Sequence, residues 1–184
     1  RRSSDLEMDE YQTLDRNRVR VQVAAIFEAL RSEGIVYSAP PASFEISGQR
    51  IRLADKVLTE KLGTCIDTSL LMASCLEACG IYPILVMMKG HVMVGAWLTP
   101  IVSPQMIGDD VCLLLKEAAD GNNNLVLLES TAITSSDNVG FEDAVKSAIN
   151  KLKDESQFNH YVDIHRCRLA NIRPMPQRIF KNGI

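Results

Sequence analysis

Residues 61–98 read "KLGTCIDTSLLMASCLEACGIYPILVMMKGHVMVGAWL", and the periodicity of this stretch decides the fold. Thr64 is a good N-cap, the apolar run from Cys65 to Ala78 has helical length, and Gly80 supplies a C-terminal stop. Beyond it, Tyr82–Met88 and Val92–Leu98 are rich in Val, Ile and Met and flank Lys89-Gly90-His91, so they predict two strands joined by a tight connection. A buried helix running into a hairpin predicts an α+β domain in which N-terminal helices pack on an antiparallel sheet.

Working outward, "RNRVRVQVAAIFEALRSEG" places Val19, Val23, Ile26, Phe27 and Leu30 at helical spacing and closes at Gly34. Residues 1–12 are polar and are expected to fray. "YSAPPASFEISGQR" reads as a loop with a short extended piece around Phe44, followed by a short helix from Leu53 to Leu62. Downstream of the hairpin, 99–124 reads as an irregular, partly helical insertion. Leu125–Thr131 reads as a third strand, Phe141–Leu152 as a helix, and Tyr161–Ala170 as a last strand before a "RPMP" tail.

The 184 residues suffice for one domain with a sizeable core. A net charge of −3 gives no electrostatic reason to expect direct binding to nucleic acid or acidic lipid. The apolar stretches are too short to span a bilayer, and the start carries no signal peptide, so the chain reads as soluble and cytoplasmic. Five cysteines at irregular spacing suit free thiols in a reducing compartment better than a disulfide framework. A first residue of Arg1 reads as an excerpt from a longer protein.

Cys65 differs from the other cysteines in its position. At a helix start, its sulfur lies near unpaired N–H groups and the positive end of the helix dipole, both of which favour thiolate. His91 heads the second strand of the hairpin and is a candidate base, because one helix, one turn and one strand can return the chain to the helix's N-terminal end. Glu129 is the only acid in "LVLLESTAIT" and needs a partner if buried, which an imidazole beside it would provide. The plainer readings are a small core cysteine, a turn histidine and a strand-end carboxylate facing water. The order of the three along the chain is what raises a triad above them.

These residues carry a resemblance. The Gly-x-Cys-x-Asp start of an apolar helix, the Gly-Ile turn, the His-headed strand and "NLVLLESTAIT" resemble the transglutaminase-like cysteine protease superfamily from about Leu53 to Thr131. More narrowly, the chain is similar to an uncharacterised transglutaminase-like module of large bacterial proteins that also carry helicase-type domains, which extends the likeness to Pro176. The resemblance implies a papain/transglutaminase-like fold with Cys65 as nucleophile, His91 as general base and acid, and Glu129 in the place of the usual Asp. It also implies a peptide or protein substrate, other domains of a larger parent chain as partners, and no cofactor. Met93 stands where many relatives have Trp, and His91 and Glu129 are further apart in sequence than is usual, so the shape of the cleft transfers less well than the triad.

Trp97 shares strand parity with His91 and Met93 and is a candidate cleft wall, with core packing the alternative. An oxyanion needs donors: the Cys65 N–H supplies one, and Gln49 is a candidate for the second. Asp67 suits the first helical turn and is given a structural role. Cys75 and Cys79 share one helix face with Leu71 and Met72 and read as buried. His165, Asp163 and Cys167 share one face of the expected last strand, with His160 off it, and no metal site is expected. "DGNNN" lacks the helix and lysine of a phosphate loop. The sequence therefore predicts a thiol-dependent acyl-transfer enzyme, and the resemblance implies hydrolysis rather than cross-linking. A catalytically silent interaction module within a multidomain helicase-type protein is the alternative, and transfer from a thioester donor is a third reading.

Overall fold

The computed structural model describes residues 8–39, 50–100, 103–134 and 139–174. The elements run α1 (Arg16–Ser32), β1 (Val36–Tyr37), α2 (Ala54–Glu60), β2 (Leu62–Gly63), α3 (Cys65–Ala78), β3 (Pro83–Met88), β4 (His91–Trp97), β5 (Ile107–Gly108), α4 (Val111–Ala118), β6 (Leu125–Leu128), α5 (Phe141–Leu152), β7 (Phe158–Asp163) and α6 (Ile164–Leu169). Five strands form an antiparallel sheet in the order β5-β7-β3-β4-β6, and β1 pairs with β2 in a separate parallel pair. The α+β class and the antiparallel sheet are as the sequence predicts.

The hairpin forms as read: Met88 pairs with His91 across Lys89-Gly90, and Gly90 takes the positive φ that the tight turn requires. Helix α3 begins at Cys65 because Thr64 caps it. The Thr64 Oγ1 accepts from the Asp67 N–H at 3.4 Å, and Asp67 Oδ2 accepts from the Thr64 N–H at 3.0 Å.

Helices cover both faces of the sheet, a distribution that the sequence reading of helices packed on an antiparallel sheet leaves open. Val94, Ala96, Val126 and Leu128 pack in one cluster with Val23 and Phe27 of α1 and Met72 and Leu76 of α3. Met93, Trp97, Leu125 and Leu127 pack on the opposite face with Leu114 of α4 and Ala148 and Leu152 of α5. The insertion 99–124 therefore supplies an edge strand and a packed helix. Double coverage explains why β3, β4 and β6 read as nearly unbroken apolar runs instead of alternating ones.

Three expectations are corrected. The third strand stops at Leu128, not Thr131, because the Glu129 side chain folds back to accept from the Thr131 N–H and starts a 3-10 turn, Ser130–Thr134. The last strand stops at Asp163, whose buried carboxylate accepts from the Arg166 N–H and caps α6, so His165 and Cys167 lie on a helix and not on one strand face. Residues 8–12 are not frayed. Tyr11 is buried, its hydroxyl donating to the Trp97 carbonyl and accepting from the Tyr82 N–H, each at 2.9 Å. Phe44 and its extended piece lie outside the described residues.

Candidate active site

The sequence placed Cys65, His91 and Glu129 on three separate elements, and the fold brings them together at one edge of the sheet. The Cys65 sulfur receives hydrogen bonds from the His91 ring, the Val92 backbone N–H and the Ile66 backbone N–H. Burial pushes this thiol up, but the hydrogen bonds and the charge of His91 outweigh burial, and the net effect is a lowered pKa. Cys75, Cys79 and Cys167 are all pushed up, chiefly by burial.

His91 Nε2 lies 2.8 Å from Glu129 Oε2, which leaves Nδ1 as the ring nitrogen for the sulfur. The hydrogen bond to Cys65, followed by that to Glu129, raises the imidazole from 6.5 to about 9, against the opposing effects of burial and of Lys151. A thiol pushed down beside an imidazole pushed up shifts the pair toward its thiolate–imidazolium form.

Glu129 is 5% exposed, and its burial pushes the carboxyl up. Hydrogen bonds from His91, Lys151 and Thr131 reverse that effect and hold it at about 2. Oε1 accepts from the Thr131 N–H at 3.1 Å and the Thr131 Oγ1 at 2.7 Å, while Oε2 accepts from His91 Nε2 and from Lys151 Nζ at 2.5 Å. The carboxylate is therefore saturated by four donors and fixed in orientation.

A buried cluster of hydroxyls ties the three segments together. Ser69 Oγ and Ser130 Oγ share a hydrogen bond of 2.7 Å, and the hydroxyl that is not its donor donates to its own carbonyl, Val92 at 3.2 Å from Ser69 or Cys65 at 3.3 Å from Ser130. Thr68 Oγ1 donates to the Cys65 carbonyl at 3.1 Å and lies 3.3 Å from Ser130 Oγ. The residues bonded here are Cys65 itself and the neighbours of His91 and Glu129, so the cluster fixes where the triad backbones sit.

Two cavities flank His91. One of about 630 Å³ is lined by Tyr37, His91, Glu129, Thr131 and Lys151, among others. A smaller one of about 260 Å³ is lined by Met88, Lys89, His91, Lys151, Asp154 and Gln157. Cys65 is itself 8% exposed, and burial, followed by the nearby Cys65 sulfur, pushes the Tyr37 phenol up. The parallel pair β1·β2 puts Tyr37 there, since Tyr37 is in register with Gly63, two residues before the cysteine.

The remaining sequence candidates fall elsewhere. Trp97 is not a cleft wall: it is buried in the α4/α5 face of the core, its Nε1 donating to Asp163 Oδ2 at 3.0 Å. Strand parity gave the right face, but six residues of strand put it about 20 Å along β4 from His91. Gln49 lies outside the described residues. Asp67 is structural: beyond the capping bond, its carboxylate accepts from the Arg52 N–H at 2.8 Å and Arg52 Nη1 at 3.1 Å. Cys75 and Cys79 are half-buried. His165 stacks on Tyr82 with ring centroids 3.7 Å apart. Among the described residues, no group of three His, Cys, Asp or Glu side chains could hold a metal ion, and no helix is long and apolar enough to cross a membrane.

Sequence reasoning missed Tyr37, Lys151 and the hydroxyl cluster. Only Lys151 left a readable signal. It follows Ala144 by two helical turns and Ala148 by one, so a lysine sits on the buried stripe of α5. No family model, no curated protein and no solved structure matches the chain.

Proposed function

We propose that this chain is a thiol-dependent acyl-transfer enzyme of the transglutaminase-like cysteine protease type, hydrolysing an amide bond of a peptide or protein through Cys65, His91 and Glu129. One observation carries the reading: a helix-start sulfur is paired with an imidazole that a buried carboxylate holds at 2.8 Å. In the first half-reaction, the Cys65 thiolate attacks the acyl carbon, and the C–N bond breaks as the His91 imidazolium gives its proton to the leaving amine. In the second, neutral His91 takes a proton from water, the hydroxide attacks the thioester, the C–S bond breaks and a carboxylic acid leaves. The Cys65 backbone N–H has no intrahelical acceptor and can bind the developing oxyanion. The Tyr37 hydroxyl, already against the sulfur and lining the larger cavity, supplies the second donor that the sequence sought in Gln49.

The catalytically silent module would bury Cys65 beneath the 99–124 insertion. That insertion packs instead through Leu114 on the α4/α5 face, which favours the enzyme. The test is iodoacetamide labelling at mildly acidic pH in a Cys112→Ser background, since Cys112 is exposed and would otherwise compete. Selective labelling of Cys65, lost in Cys65→Ala, is expected. Equal labelling of all four thiols, or labelling only after denaturation, overturns the proposal in favour of the silent module.

A further inference from the structure

Lys151 stands where a triad has no assigned member. Its Nζ is 2.5 Å from Glu129 Oε2, the same oxygen that His91 Nε2 approaches at 2.8 Å, and 3.4 Å from that ring nitrogen. The Glu129 side chain is 6% exposed and that of Lys151 44%, so a half-exposed ammonium meets a buried carboxylate; both line the larger cavity, and Lys151 lines the smaller one as well.

We propose that Lys151 is a positioning residue of this site, neutralising Glu129 so that the carboxylate orients His91 without locking it in the protonated form. The geometric part stands on these distances alone; its catalytic meaning rests on the thiol-enzyme reading. A carboxylate on one ring nitrogen and a thiolate on the other both favour the imidazolium. Two anions around one cation would leave the imidazolium a poor acid, slow to give its proton to a leaving amine. The Lys151 ammonium brings the four-group network to zero net charge: thiolate, imidazolium, carboxylate, ammonium. It opposes His91 protonation directly and weakens the pull of the oxygen they share. Among the described residues, the ionisable groups around His91 are Cys65 from α3, Tyr37 from β1, Glu129 after β6 and Lys151 from α5. Lys89 and Asp154 line the smaller cavity on the other side.

The test is the titration of the His91 ring carbon by NMR in the full chain, assigned by difference against His91→Asn, for wild type, Lys151→Met, Lys151→Gln and Lys151→Arg. In the uncharged variants the His91 midpoint is expected to rise by about one pH unit, the low end for a neighbouring charge because the ammonium is half exposed. The arginine variant should titrate like wild type. The glutamine variant decides the case if methionine perturbs folding. An unmoved or lowered midpoint in the uncharged variants, or an arginine variant that behaves like them, overturns the proposal. Because this readout needs no turnover, it decides the role of Lys151 even if the Cys65 labelling experiment removes the enzyme reading.

Discussion

Replacing Glu129 by Gln tests whether the buried carboxylate is held by ion pairing, and its size follows from the site. The carboxyl falls from 4.5 to about 2 in the folded chain, against burial and through His91, Lys151 and Thr131. At about 1.4 kcal/mol per pH unit, this is worth about 3 kcal/mol of folding free energy. The sign follows from the direction of the shift. A group depressed by folding contributes stability that is fully present above its unfolded value and is lost as pH falls through its folded value. The contribution of Glu129 is therefore complete above about 4.5 and drains away between there and about 2. Gln keeps the oxygen for Thr131 but has no charge to titrate. Urea unfolding followed by circular dichroism from pH 6.5 down to 3 should show wild type more stable at the upper end. The gap should narrow by about 2 kcal/mol by pH 3, the rest of the contribution being lost only below that. A gap that stays constant with pH would refute the ion-pairing account and leave Glu129 as a neutral spacer.

Two further substitutions separate chemistry from scaffolding. Tyr37→Phe should leave iodoacetamide alkylation of Cys65 nearly unchanged, because no oxyanion forms in that displacement. It should slow acylation by p-nitrophenyl acetate by about 10²-fold, the usual cost of losing one oxyanion donor; faster alkylation would show instead that Tyr37 shields the sulfur. Ser130→Ala removes the hydroxyl that Ser69 Oγ meets at 2.7 Å, while Ser69 keeps the Val92 carbonyl and Thr68 the Cys65 carbonyl, and should cost about 1 kcal/mol in thermal unfolding. A double-mutant cycle with Ser69→Ala should be non-additive, and strict additivity would mean that the hydroxyls act independently.

The parts of the fold governed by local chemistry could be read from the sequence. Thr64 and Gly80 bound α3, and the apolar stripe of Phe141–Leu152 gives α5 its ends. Both misread strands share one cause: each is ended by a buried acid whose side chain bends back onto the backbone, Glu129 onto Thr131 and Asp163 onto Arg166. Such acids also find distant partners, His91 for one and Trp97 for the other, and those partners are invisible to periodicity. The three site residues Cys65, His91 and Glu129 were legible because each sits at the head or end of an element, where the chain's order constrains its place. Tyr37 was not, since only the long-range pairing of β1 with β2 sets it beside Cys65.

The polar network draws on both layers that enclose the sheet: Cys65 from α3 on one side, Lys151 from α5 on the other, with His91 and Glu129 between them. A ribosome releases these parts in sequence, the sulfur long before the ammonium. Until Glu129 and α5 have both emerged, the His91 ring lacks the two charged groups that meet at its Nε2, and the polar network closes only when the last of these layers is in place.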